Sequence, residues 1–107
     1  MTTFYKNAAV DLTTTNVTVV YTAPAAKTAI FKSILVSNDS GSADTITLTL
    51  TNAATAVFSL YKLEEVGALS TRELLEQPLV LETAEILKAQ AATAGRLHVV
   101  ASYMEIT

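Results

Sequence analysis

Between Asp44 and Thr51 the chain alternates without a break. Ile46, Leu48 and Leu50 are apolar, and Thr45, Thr47, Thr49 and Thr51 stand between and after them. A period of two predicts a strand with one face in a core and one face toward water. Threonine suits the wet face, because its branched β-carbon favours extended backbone. Less regular versions of the pattern lie on both sides. Thr3–Leu12, with Phe4, Tyr5, Val10 and Leu12, predicts a first strand or an extended arm. Asn16–Thr22 predicts a strand with Val17, Val19 and Tyr21 on one face, ended by Pro24, which lacks an amide donor. Thr28–Ser37 predicts a strand apolar on both faces, with Ile30, Ile34 and Val36 opposed to Ala29, Phe31 and Leu35.

Turn residues fill Asn38–Ser42 and Asn52–Thr55, and Gly67 ends a further alternating run over Ala56–Val66. Residues 68–77 are ambiguous. Ser70-Thr71-Arg72-Glu73 fits a capping box that would open a short helix. Ten residues make a marginal helix, so an extended segment is expected. Pro78 leads into a short strand, Leu79–Glu82. Ala84–Ala92 and Arg96–Ile106, joined by Thr93-Ala94-Gly95, read as a closing hairpin. Eight or nine short strands with regular turn signals predict an all-β, single-domain antiparallel β-sandwich, jelly-roll-like, over residues 1–107.

Composition narrows the function. Only 16% of the residues are charged, against roughly a quarter in average domains. Thr, Ser and Ala take their place, giving a weakly hydrated surface compatible with protein contacts. The net charge is −3, and the bases Lys6, Lys27, Lys32, Lys62, Arg72, Lys88 and Arg96 are scattered. No basic patch with interleaved aromatics is present, so a nucleic-acid partner is not expected. The absence of cysteine excludes disulfides and thiolate metal sites. No apolar run approaches the ~20 residues of a membrane helix, and the start Met-Thr-Thr-Phe-Tyr-Lys carries no apolar core of a secretory signal.

Site chemistry is sparse. His98 is the sole histidine and has no triad context; it reads as a partly exposed strand residue. Asp39 and Asp44 flank a Ser-Gly-Ser loop, but Asx-turn chemistry explains them more simply than calcium. Glu64 and Glu65, adjacent on a strand, point to opposite faces and cannot act as a catalytic pair. The expectation is a protein that is not an enzyme and has no cofactor and no metal.

Contact surfaces are better indicated. A two-layer sandwich buries one face of each strand, yet Thr28–Ser37 and Arg96–Ile106 are apolar on both. Ile30, Ile34, Val100, Met104 and Ile106 are therefore candidates for a face covered by the rest of the chain or by another subunit. Phe4, Tyr5 and Lys6 are further candidates. The segment Met1–Asn7 that carries them is either an ordinary first strand or an arm able to add to a neighbour's open edge.

Two stretches resemble a known family. Tyr21-Thr22-Ala23-Pro24-Ala25-Ala26-Lys27-Thr28-Ala29-Ile30, running into Ser33–Asn38, is similar to the opening of small β-sandwich phage virion proteins of the capsid decoration, or cement, type. Leu74–Glu76, Leu79–Glu82 and the ending Val99–Thr107 resemble their closing turn and tail. The chain departs from that pattern at Ala26, where the family carries glycine, and at Thr83-Ala84-Glu85, where it carries Ala-Gly-Asp. The resemblance implies a component of the outer capsid surface, made in the host cytoplasm. It would bridge subunits of the major capsid protein without covalent bonds, as a homo-oligomer, with a trimer favoured. A tail, collar or fibre-base component is the alternative within virions. A carbohydrate-binding sandwich is the alternative of another class, and the lack of tryptophan counts against it.

Overall fold

The computed structural model describes residues 2–107. Nine strands form two antiparallel sheets: β1 (Thr3–Leu12), β2 (Thr18–Thr22), β3 (Thr28–Asn38), β4 (Asp44–Thr51), β5 (Val57–Val66), β6 (Ser70–Glu73), β7 (Leu79–Leu81), β8 (Ile86–Ala91) and β9 (Leu97–Ile106). The first sheet, A, runs β1-β9-β3-β6, with β7 also paired to β3; the second, B, runs β2-β8-β4-β5. Apart from the short β7, this interleaving is that of a jelly roll. The chain changes sheet at most connections, and the body is 45 × 26 × 22 Å.

The core lies between the sheets. Leu12, Phe31, Ile34, Val36, Leu81, Leu97 and Val99 from sheet A meet Ile46, Leu48, Leu87 and Val66 from sheet B, all essentially inaccessible. Alternation holds in β4 through Leu48, while Thr45, Thr47 and Thr49 form the half-exposed outer side. At the strand's end it relaxes: Leu50 is half-buried and Thr51 is buried.

Bulges explain where simple parity fails. Between Phe31 and Ser33, β3 carries one residue more than β9, so Lys32 is extra. Ala29 and Phe31 face the core before the bulge; Ile34, Val36 and Asn38 face it afterwards. The strand that reads as apolar on both faces is thus a one-sided strand whose phase slips once. Ile34, expected beside Ile30, is fully buried instead. Strand β2 has a similar irregularity between Val19 and Tyr21. Val20 and Tyr21 are both buried there, while Val17 and Val19, expected with Tyr21, are exposed.

Residues 70–73 are extended. Glu73 does not reach back to cap a helix. Its carboxylate accepts the Ile34 amide at 2.7 Å, the Leu75 amide at 3.3 Å and the Ser33 hydroxyl, and so serves the backbone beside the β3 bulge. The expected β8–β9 hairpin is not formed. Strand β8 pairs with β2 and β4, whereas β9 pairs with β1 and β3. The Thr93–Gly95 link crosses between sheets. Gly95, at φ 77°, donates its amide to Leu12, and the Ala92 amide reaches Thr45. A glycine link between two apolar runs fits either connection, and the stacking of the sheets selects the crossover.

Candidate functional site

Strand register sorts the candidate residues onto the two sides of sheet A. On β1 the even positions face inward, opposite Tyr103, Ala101, Val99 and Leu97 of β9. The odd positions face outward. Tyr5 pairs with Met104, Met104 with Ile30, and Ile30 with Val80, which makes one apolar row across β1, β9, β3 and β7. Ala9, Val100 and Leu35 make a second row. Asn7, Ser102 and Ser33 form a polar row between the two. Ile106 lies beyond the first row, between Thr3 and Thr28.

Sheet A's outer face is therefore apolar and open. Tyr5 is 83% exposed and Val80 49%, while Leu35 and Val100 are about 40% exposed. Ile30, Met104 and Ile106 are half-buried by their neighbours in the sheet. All nine strands belong to the two sheets, so no further strand of the described chain covers this face. An open recess of about 420 Å³ lies at Tyr5, Asn7, Lys32, Ser102 and Met104. At the far end the face becomes polar: His98 Nε2 sits 3.2 Å from Asp11, and its Nδ1 sits 4.0 Å from Asp39.

Five of the eight candidate residues, Tyr5, Ile30, Val100, Met104 and Ile106, share this surface. Ile34 belongs to the core. Phe4 and Lys6 are on the inward side of β1, next to a buried carboxylate. Glu105 of β9 is 2% exposed. It accepts hydrogen bonds from the Tyr21 hydroxyl at 2.6 Å, Lys6 at 2.9 Å and, more loosely, Lys27 at 3.4 Å. The Tyr21 hydrogen bond, then the Lys6 ammonium, hold its pKa down to about 2 against the opposing effect of burial. Burial first, and then the bond to Glu105, push Tyr21 well up. The rings of Tyr21, Phe31 and Tyr103 pack beside this cluster with centroids 4.6–5.3 Å apart. One carboxylate thus joins β1, β9, the loop before β3, and β2 of the opposite sheet. It also ties Lys6, whose ammonium lies 5.5 Å from the Phe4 ring centre, to its own sandwich.

Val80 and Leu35 complete the surface and were not among the candidates. Strict parity places Leu35 opposite Ile30, because the slip at Lys32 is invisible to it. Val80 was hidden in a strand too short to show a period. Asp39 and Asp44 do not converge on one ion site: Asp44 accepts the Thr45 and Thr93 amides at 2.8 and 3.2 Å, while Asp39 lies toward His98. The exposed aromatics Phe4, Tyr5 and Phe58 form no common platform: Phe4 and Tyr5 lie on opposite faces of β1, and Phe58 stands on the other sheet.

No protein-family model and no curated protein matches the sequence. Some solved structures are similar. A Bacillus endospore appendage protein, from a study describing a novel family of disulfide-linked pili, aligns with a TM-score of 0.58 at 10% identity, over 99% of this chain and 88% of its own. A chain from the structure of infectious bursal disease virus Gx strain aligns with a TM-score of 0.48 at 10% identity, over 96% of this chain and 28% of its own. At such identity the first likeness shows the fold alone.

Proposed function

We propose that this chain is a structural subunit of a virion: a phage capsid decoration protein that seats the outer face of sheet A on the major capsid protein. The observation that carries the reading is the open apolar face built on Tyr5, Met104, Ile30, Val80, Val100 and Leu35. Water-exposed apolar rows flanked by polar groups mark contact surfaces. Each contact is modest, and repetition over a symmetric shell supplies avidity.

The backbone adds independent support to the family resemblance. Ala26 and Ala84 stand where the phage proteins carry glycine, and both adopt left-handed backbone, at φ 60° and 68°. That conformation favours glycine, so both departures fall where the backbone gives glycine a reason. The appendage subunit offers a rival setting, a fibre. Its pili are described as disulfide-linked, and a chain without cysteine cannot be joined in that way.

Copy number per particle, by quantitative gel or cryo-EM, tests the proposal. Hundreds of copies on the shell are expected. A dozen or fewer would favour a tail, collar or fibre-base position, and absence from purified particles would overturn the virion role.

A further inference from the structure

The free edge of β1 carries an inference separate from the capsid contact. Strand β1 pairs through all ten residues with β9 and lies at the end of its sheet. Its register has no bulge, and it contains no proline. The Thr2 carbonyl accepts the Thr107 amide and the Leu12 carbonyl accepts the Gly95 amide, so even-numbered backbone groups point toward β9. The odd-numbered groups of Tyr5, Asn7 and Ala9 point away from the sheet, at exposed residues. An unbroken edge of this kind is a template for another strand. The usual deterrent, a charge pointing inward at the edge, is neutralised here because Glu105 holds Lys6.

We propose that this edge pairs with the same edge of a second copy, antiparallel about a two-fold axis at Asn7. Three features select a second copy and this register. First, backbone groups match: Asn7 faces Asn7, and Tyr5 faces Ala9, all through outward-pointing amides and carbonyls. Second, bulk matches. Tyr5 meets Ala9 on the outer face, Lys6 meets Ala8 on the inner one, and the half-exposed Phe4 gains Val10 as a cross-strand neighbour. Third, the surface rows join. Val80–Ile30–Met104–Tyr5 of one copy runs directly into Ala9–Val100–Leu35 of the other, and the polar row of Asn7, Ser102 and Ser33 continues into itself. The pair thereby carries two long apolar rows flanking one polar row. A two-fold contact of this kind is self-complementary and closes as a dimer, in contrast to the trimer that the resemblance implies.

Light scattering after size exclusion of the full chain tests the pairing. The expected mass is about twice the 11.4 kDa chain, falling to the single-chain value in Ala9→Pro with the circular dichroism of the fold retained. The Ala9 amide faces away from β9, so proline there removes no bond within the sheet. Asn7→Cys gives a second readout in a protein without cysteine. Facing Cα atoms in such a pair lie ~5.5 Å apart, within disulfide reach. This variant is expected to form disulfide dimers under mild oxidation far faster than Thr47→Cys on sheet B. A mass of 11.4 kDa at the highest soluble concentration, a dimer that Ala9→Pro leaves intact, or Asn7→Cys cross-linking no faster than Thr47→Cys would each overturn the inference.

Discussion

The central strands of the two sheets are of the same kind and end with opposite outer surfaces; the exposed apolar residues of sheet B, Val19, Val57, Phe58 and Leu63, stand on its edge strands β2 and β5. On sheet B the central strand β4 shows Thr45, Thr47 and Thr49, and its neighbour β8 shows Lys88 and Gln90. On sheet A the two central strands show Ile30 and Leu35, and Val100, Met104 and Ile106. Both sheets contribute fully buried apolar side chains to the core between them, so stability of the sandwich does not require apolar residues outside. A sheet centre that faced only water would be expected to resemble the centre of sheet B. The surplus on sheet A is therefore read as a contact surface, and the threonine ladder as the side turned away from it.

The largest expected effect comes from placing a charge on each face in turn. Met104→Glu, at the centre of the longer row, should weaken particle binding by about 100-fold or more, because a carboxylate would be trapped without a partner in the contact. Thr47→Glu should leave binding unchanged. Occupancy on purified particles, with circular dichroism as the check on folding, reads both. Equal losses would remove the distinction between the faces.

The support beneath sheet A comes next. Glu105→Leu leaves the buried Tyr21 hydroxyl without its acceptor and should cost about 2 kcal/mol in denaturant unfolding. The same carboxylate predicts an acid profile. Its folded pKa of about 2 lies below the ordinary 4.5, so its contribution is complete above about pH 4.5. That contribution fades as the pH falls toward 2. Glu105→Leu should flatten this part of the stability curve; an unchanged slope would show that other carboxylates govern it.

Glu73→Ala removes the acceptor for the Ile34 amide beside the bulge and should cost about 1–2 kcal/mol. If the bulge is what sends Ile34 inward and Leu35 outward, this variant should also loosen amide exchange around Ser33–Leu35. Smallest are Ala26→Gly and Ala84→Gly. Each relieves left-handed strain but frees the unfolded chain, for a net gain of about 0.5 kcal/mol. A loss of stability at both would remove the backbone argument for the family resemblance.

Much of the fold was legible in sequence because burial enforces a period of two. The Ile46–Leu48 alternation, the turns at Asn38–Ser42 and Asn52–Thr55, and the extended reading of 70–73 all follow from local physics. Sheet partnership was not legible. The Thr93-Ala94-Gly95 link supports a hairpin and a crossover equally, and only the packing of β8 beside β4 and of β9 beside β3 decides. The candidate surface was half legible for the same reason. Tyr5, Met104, Ile106 and Val100 keep strict parity with their neighbours. Ile34 and Leu35 lie past a one-residue slip at Lys32, where a polar pair, Lys32-Ser33, interrupts an apolar run. That interruption was the available signal. Glu105 gave none, since one glutamate in a strand looks solvated until Tyr21, Lys6 and Lys27 are brought around it.

Hydroxyl-radical footprinting of the free and the particle-bound chain, read residue by residue by mass spectrometry, tests the central claim most directly. Tyr5, Met104, Val80 and Val100 should be strongly protected on the particle, while Val19 and Leu63 on sheet B react as in the free protein. Protection of Val19 and Leu63, with Met104 and Val80 left reactive, would contradict the account.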